Sequence, residues 1–295
     1  MKNCKSNQPG RSEERRRLCG LIAVALLLAA AGPAIDKTGW PDKITVGITP
    51  ALGVEKTRQK YQPLIAHLEK SLGIKVEALV PNDYLMMVMG LASRAIDFGY
   101  MSPNTYMLAK DQTTCELLAL ELDREGKPGY HSILIASKAS GIKTLDQAQG
   151  KILAFTSSDS TSGFMVPSNY FVKELKTTPG KFASQVVFAG SHLEVISGVA
   201  DGKSGFGATN DLDLARSGDP NGFVTLWKSE MIPGAPFVAR KDLPESLKKA
   251  FLEALLSLSQ DKAALKEIGI GGYIPAKDSD FNELRRLSNQ KSAAP

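Results

Sequence analysis

The sequence predicts an α/β protein of two lobes, with the chain passing between them twice. Three observations predict this. Short apolar runs with strand character alternate with segments whose apolar residues recur at helical spacing. The alternation restarts after the polar, glycine-containing stretch 123–129. A further amphipathic segment, beyond Met231-Ile232-Pro233-Gly234-Ala235-Pro236, reads as returning to the first lobe. The lobes are accordingly assigned as residues 35–130 together with 229–295, and residues 131–228. Two crossings between two lobes make a hinge and set a cleft beside it.

Residues 43–48, Lys-Ile-Thr-Val-Gly-Ile, read as the first strand, and 58–72 as a helix on the spacing of Tyr61, Leu64, Ile65 and Leu68. Residues 74–80 read as a strand, Asn82 as the cap of a methionine-rich helix running to Leu91, and 95–101 as a third strand. Met86, Met87 and Met89 are expected to pack in the core. Ser102-Pro103 offers a cap followed by proline at the first helical position, where a missing N–H matters least. This βαβαβ order implies a largely parallel sheet covered by helices. In the second lobe the strands fall at 132–136, 151–155 and 186–188, with helices at about 163–175 and 191–200. Near the C-terminus Leu247, Ala250, Phe251, Ala254, Leu255 and Leu258 share one helix face.

The N-terminus stands apart. Arg15, Arg16 and Arg17 precede an uncharged apolar run of 14 residues, 18–31, which ends in Gly32-Pro33-Ala34. A membrane-spanning helix needs about 20 residues, so the run reads as a secretory signal spanning 1–34 and cleaved after Ala34, with a retained membrane anchor as the alternative. The expected location is the periplasm. Removing this leader takes Cys4 and Cys19 with it and leaves Cys115 alone, so no intrachain disulfide is expected. The remaining chain of about 260 residues is long enough to rely on its core.

Of the formal net charge of +5, +4 lies within the first 34 residues, which removes the case for nucleic-acid binding from charge. With three histidines and one remaining cysteine, neither CxxC zinc sites nor an HExxH helix is present, and no metal or cofactor is expected.

In open α/β sheets ligands sit beyond the C-terminal ends of strands, where helix N-termini present free N–H groups. Three such turns carry suitable residues. Ser160-Thr161-Ser162-Gly163 follows a strand; three hydroxyls, a glycine that lets backbone approach closely and a helix N-terminus together suit a tetrahedral oxyanion, and a solvated cap with surplus serines is the plainer reading. Gly190-Ser191-His192 follows another strand. Ser191 with Glu194 makes a capping box, and His192 in the first turn is placed to donate to an anion. Ser102 serves equally as cap or ligand contact, and Tyr84 and Tyr130 have phenols that could reach a cleft.

These residues, in order, carry a resemblance: Asn82-Asp83-Tyr84, Phe98-Gly99-Tyr100-Met101-Ser102-Pro103, Gly129-Tyr130-His131-Ser132, the run 140–145 with Gly150-Lys151, Ser160-Thr161-Ser162-Gly163 with Pro167, and Gly190-Ser191-His192. Over nearly the whole mature chain the sequence resembles the phosphate/phosphite/phosphonate-binding proteins of ABC transporters. The resemblance implies the two-lobed periplasmic binding fold of the second type. It also implies a phosphorus oxyanion held by Ser160, Thr161, Ser162, His192, Tyr84 and Tyr130, and delivery by a monomer to a membrane permease with its cytoplasmic ATPase. Residues 204–211 depart from the family's pattern. Asp211, and more weakly Glu230, are candidates to hold the ammonium of an aminoalkyl phosphonate.

Two other functions compete. A secreted serine hydrolase would use Ser160 or Ser162 as nucleophile and His192 as base, but neither serine sits in Gly-x-Ser-x-Gly and no orienting acid is visible. The same fold could instead serve as the ligand sensor of a separate signalling partner.

Overall fold

The computed structural model describes Met1 and residues 36–113 and 115–289. The leader read at 1–34 lies, apart from Met1, outside the described residues. The described residues from Gly39 onward form one compact unit.

The first four strands are β1 (Lys43–Ile48), β2 (Lys75–Leu79), β3 (Phe98–Tyr100) and β4 (Cys115–Leu122). Five more follow: β5 (Gly129–Ser137), β6 (Ile152–Phe155), β7 (Gln185–Phe188), β8 (Phe206–Asn210) and β9 (Phe223–Pro233). The last two are β10 (Pro236–Arg240) and β11 (Gly272–Pro275). They build two sheets, one of six strands in the order β11-β4-β10-β3-β1-β2 and one of five in the order β7-β6-β8-β5-β9. The chain leaves the first sheet between β4 and β5 and re-enters it between β9 and β10. The fold is thus α/β, with the two mixed sheets of a two-lobed architecture.

The sheets are mixed rather than largely parallel. β1 pairs in parallel with β2 and β3, and β6 with β7 and β8, as helical crossovers require. The strands near the two crossings run against their neighbours: β10 is antiparallel to β3 and β4, and β5 is antiparallel to β8 and β9. Phe98 of β3 stacks on Phe251 from the helix Glu245–Ser257 with ring centroids 3.8 Å apart, and both rings are fully buried. The same helix buries Leu247, Ala250, Ala254 and Leu255, the face that periodicity singled out.

Two local expectations change. The helix Leu85–Ala92 buries Met87, Val88 and Leu91, which leaves Met86 47% and Met89 62% exposed on its other side. One face of an eight-residue helix cannot take three methionines spaced at 86, 87 and 89. At its start Asp83, not Asn82, supplies the side-chain acceptor, taking a hydrogen bond from the Leu85 N–H at 2.6 Å. Ser102 caps as read: its Oγ accepts from the Thr105 N–H at 3.2 Å, with Pro103 next.

Truncating Phe251 to alanine removes the stacked partner of Phe98 from a site with no solvent access. Chemical denaturation is expected to show a loss of about 3–5 kcal/mol; a loss under about 1 kcal/mol would mean that this contact does not organise the first sheet.

Candidate functional site

A cavity of about 70 Å³ draws its lining from strand ends in both sheets. Thr49 follows β1, Ser102 follows β3, Ser160 and Ser162 follow β6, His192 follows β7, and Asn210 ends β8. This is the C-terminal edge at which open α/β sheets bind ligands. A single water needs about 10–15 Å³, so the cavity has room for a small solute.

Ser160 opens its turn as a cap. Its Oγ accepts from the Gly163 N–H at 3.0 Å, which leaves its own proton free to donate. The following turn, Thr161–Met165, is wider than an α-helix, with the Met165 N–H donating to Ser160 O at 3.0 Å, a bond spanning five residues. Only glycine fits at 163: a Cβ there would stand 2.1 Å from Thr156 Oγ1. Ser132 Oγ donates to Ser162 O at 2.7 Å and ties the turn to β5. Thr161 is fully buried and does not line the cavity. Its Oγ1 accepts from the Asn104 N–H at 2.8 Å, and Asn104 Nδ2 donates to Asp159 O at 3.0 Å, so the turn is held to the helix Pro103–Gln112 that follows β3.

His192 begins the helix His192–Ala200, which Ser191 caps by accepting from the Glu194 N–H at 3.2 Å. The His192 N–H donates to Ala51 O at 2.9 Å, in the segment after β1, and so links the two sheets. Its ring Nδ1 lies 3.2 Å from Thr156 Oγ1 and 3.1 Å from Thr209 Oγ1. Burial holds this imidazole below the ordinary histidine range, and the Asp213 carboxylate offsets part of that effect.

Tyr84 and Tyr130 both line the cavity. The Tyr84 hydroxyl is buried and has no hydrogen-bond partner. Burial keeps both phenols protonated by lifting them well above their usual range, with Ser160 beside Tyr84 and the hydroxyls of Ser162 and Thr161 beside Tyr130 working against that lift. Ser102 Oγ, also in the lining, sits 2.8 Å from Thr105 Oγ1.

Asp211 is not brought into this group. Its Oδ1 accepts from the His131 N–H at 2.9 Å and its Oδ2 lies 3.3 Å from Lys228 Nζ, outside the lining. Glu230 is exposed on β9 and is not in the lining either. The carboxylates that do line the cavity are Glu121 and Asp213, with Arg216 between them. Arg216 reaches Asp213 Oδ1 at 3.2 Å and Glu121 Oε1 at 3.5 Å, and donates to Gly269 O at 2.8 Å. Tyr100 Oη donates to Glu121 Oε2, Tyr61 Oη donates to Tyr100 Oη at 3.2 Å, and Asn210 Nδ2 donates to Asp213 Oδ2 at 2.8 Å. Burial raises the Glu121 carboxyl, against the pull of Arg216 and Tyr100. For Asp213 burial acts the same way but is overcome by its neighbours, the Arg216 guanidinium and the Asn210 hydrogen bond among them, which hold its carboxyl low. Lys60, half-buried nearby, is pushed down to about 8 by burial and then by Arg216.

Sequence reading missed this cluster, although part of it had a signal. Asn210 followed by Asp213 is a capping pattern, with the Asp213 N–H donating to Asn210 Oδ1 at 2.7 Å, and Arg216 falls one turn further on the same face. Glu121 had none, because it belongs to a strand on the other sheet. Among the described residues no group of acidic, histidine and cysteine side chains could hold a metal ion.

Residues 46–281 match the family described as "ABC transporter, phosphonate, periplasmic substrate-binding protein". The chain belongs to that family. It is 29% identical to the phosphate-import protein PhnD of Mycolicibacterium smegmatis, over 92% of this chain and 94% of that one. It is 28% identical to the phosphonates-binding periplasmic protein of Escherichia coli, over 83% of this chain and 75% of that one. The fold matches a binding-protein component of a Pseudomonas aeruginosa ABC phosphonate transporter with a TM-score of 0.77, at 24% identity over 83% of this chain and 85% of that one. Membership implies export. Among the described residues no helix is long and apolar enough to cross a membrane.

His192 is neutral in the fold and gains a proton on unfolding once the pH falls below about 6.5. The unfolded chain then binds more protons, so the fold loses stability as the pH falls below that value. Relative to His192→Gln, the wild-type protein should lose stability at up to about 1.4 kcal/mol per pH unit below about 6.5 and hold a constant difference above about 7.5. A difference that stays flat from about pH 7.5 to 5 would show that burial does not hold this ring neutral.

Proposed function

We propose that this protein captures a small phosphorus oxyanion, a phosphate, phosphite or alkyl phosphonate, between its two lobes and delivers it intact to the permease and ATPase of an ABC transporter. The observation that carries this reading is the convergence, on one small cavity, of the Ser160–Ser162 turn, His192 and the unpartnered Tyr84 hydroxyl. Every one of these groups can donate to an anion. The N–H groups at the start of the widened turn have no acceptor within their helix and add to them. Charge-assisted hydrogen bonds from neutral donors bind strongly where water is excluded and still release the ligand when the lobes part. The names of the M. smegmatis and E. coli relatives, one a phosphate importer and the other a phosphonate binder, fall within the same ligand class.

In this reading residues 35–130 with 229–295 form one lobe and 131–228 the other, joined along β5 and β9, which run across the two boundaries. Thr161 works at the lobe interface rather than on the ligand, and Ser102 and Tyr130 complete the wall. The protein acts as a monomer in the periplasm after residues 1–34 are removed following Ala34. Binding without covalent chemistry is supported by the setting of His192. Its Nδ1 faces two threonine hydroxyls, whereas activating a serine calls for a carboxylate in that place.

Calorimetry with phosphate, phosphite, methylphosphonate and sulfate tests the reading. At least one phosphorus oxyanion should bind, and Ser160→Ala and Ser162→Ala should each weaken it by about 1.5–3 kcal/mol, roughly 10- to 150-fold. Absence of binding by all three phosphorus oxyanions, or affinities unchanged in both variants, would overturn it.

A further inference from the structure

The cavity that holds the oxyanion donors is also lined by two buried carboxylates, Glu121 and Asp213, which are 4% and 5% exposed. Two carboxylates beside an anion site would suit a ligand that carries a cation on a short arm. Here all four carboxylate oxygens are already engaged by the protein. Glu121 Oε1 faces Arg216 at 3.5 Å and Oε2 accepts from Tyr100 Oη. Asp213 Oδ1 faces Arg216 at 3.2 Å and Oδ2 accepts from Asn210 Nδ2 at 2.8 Å. The arginine is itself anchored, since it also donates to Gly269 O at 2.8 Å, and its side chain is only 8% exposed. Its position is fixed from both sheets, with Glu121 on β4 and Asp213 following β8.

We propose, on the reading that the ligand is a phosphorus oxyanion, that Arg216 determines specificity by standing where a ligand's ammonium group would otherwise sit. The site then takes phosphorus oxyanions that lack a cationic arm and rejects aminoalkyl phosphonates. An ammonium entering this cavity meets carboxylate oxygens that each already hold a protein donor, and it faces a guanidinium. It must share those oxygens beside a like charge or displace an arginine held on both sides. Asp211 and Glu230, the other acidic candidates, lie outside the lining and cannot serve it instead. The guanidinium has a second effect. It cancels one of the two carboxylate charges that would repel an oxyanion in the same cavity.

The test is calorimetry on the full chain with methylphosphonate and 2-aminoethylphosphonate. The wild-type protein should bind methylphosphonate about 100-fold more tightly. Arg216→Met should lower that ratio by about tenfold or more, through weaker methylphosphonate and stronger 2-aminoethylphosphonate binding. Because Arg216→Met leaves two buried carboxylates uncompensated, the double variant Glu121→Gln, Arg216→Met serves beside it. It removes one charge of each sign and leaves Asp213 open to an ammonium, so its ratio should fall as well. Equal wild-type affinities for the two ligands, or an unchanged ratio in a folded variant, would overturn the assignment of Arg216 alone. Absence of binding by both ligands to the wild-type protein would overturn the assignment, and the oxyanion reading would fall with it only if phosphate and phosphite failed to bind as well.

Discussion

Polar groups taken out of water must find partners, and this requirement organises the centre of the molecule. Along one edge of the two sheets the hydroxyls, amides and charges of the cavity wall are nearly all paired. The threonines at 156 and 209 flank the His192 ring, Ser132 holds the Ser162 carbonyl, and Arg216 joins Glu121 to Asp213. Against that background the unpaired Tyr84 hydroxyl is informative. A buried phenol without a partner is unfavourable by about 1–3 kcal/mol, and a ligand oxygen beside Ser160 would remove that deficit.

The same polar contacts decide how the sheets meet. His192 to Ala51, Asn104 to Thr161 and Asp159, and Arg216 to Glu121 all run from one sheet to the other. A buried ion pair of the last kind adds little net stability, because desolvation offsets most of the attraction, but it is satisfied in only one arrangement. It therefore favours a single closed geometry over loosely collapsed ones. Residues that would grip the proposed ligand and residues that fix closure alternate along the same short segments: Ser160 and Ser162 face the cavity while Thr161 between them reaches across. In the proposed function, that alternation is what would couple binding to closure.

Much of this was legible in the chain. β1, β3 and β6, the helix face built on Phe251, and the caps at Ser102, Ser160 and Ser191 follow local rules that tertiary structure did not override. β4 was not legible. Its sequence, Cys-Glu-Leu-Leu-Ala-Leu-Glu-Leu, favours a helix by propensity, and it is a strand because β10 and β11 hydrogen-bond to both of its edges. Glu121 was hidden with it. The acid near the cavity was read at Asp211, whereas the first turn of the helix Asp211–Arg216 directs Asp213 inward and leaves Asp211 at the rim against Lys228. Spacing identifies a helix start; which of two neighbouring acids points inward depends on what packs against it.

If the proposed function holds, donors from both sheets converge on one tetrahedral anion. A crystal structure of the protein grown with methylphosphonate tests it most directly. The phosphorus group is expected inside the cavity, with its oxygens about 2.5–3.2 Å from Ser160 Oγ, Ser162 Oγ, the His192 ring and Tyr84 Oη. An anion bound elsewhere, or a filled cavity in which Tyr84 Oη and the serine hydroxyls still face no ligand oxygen, would contradict it.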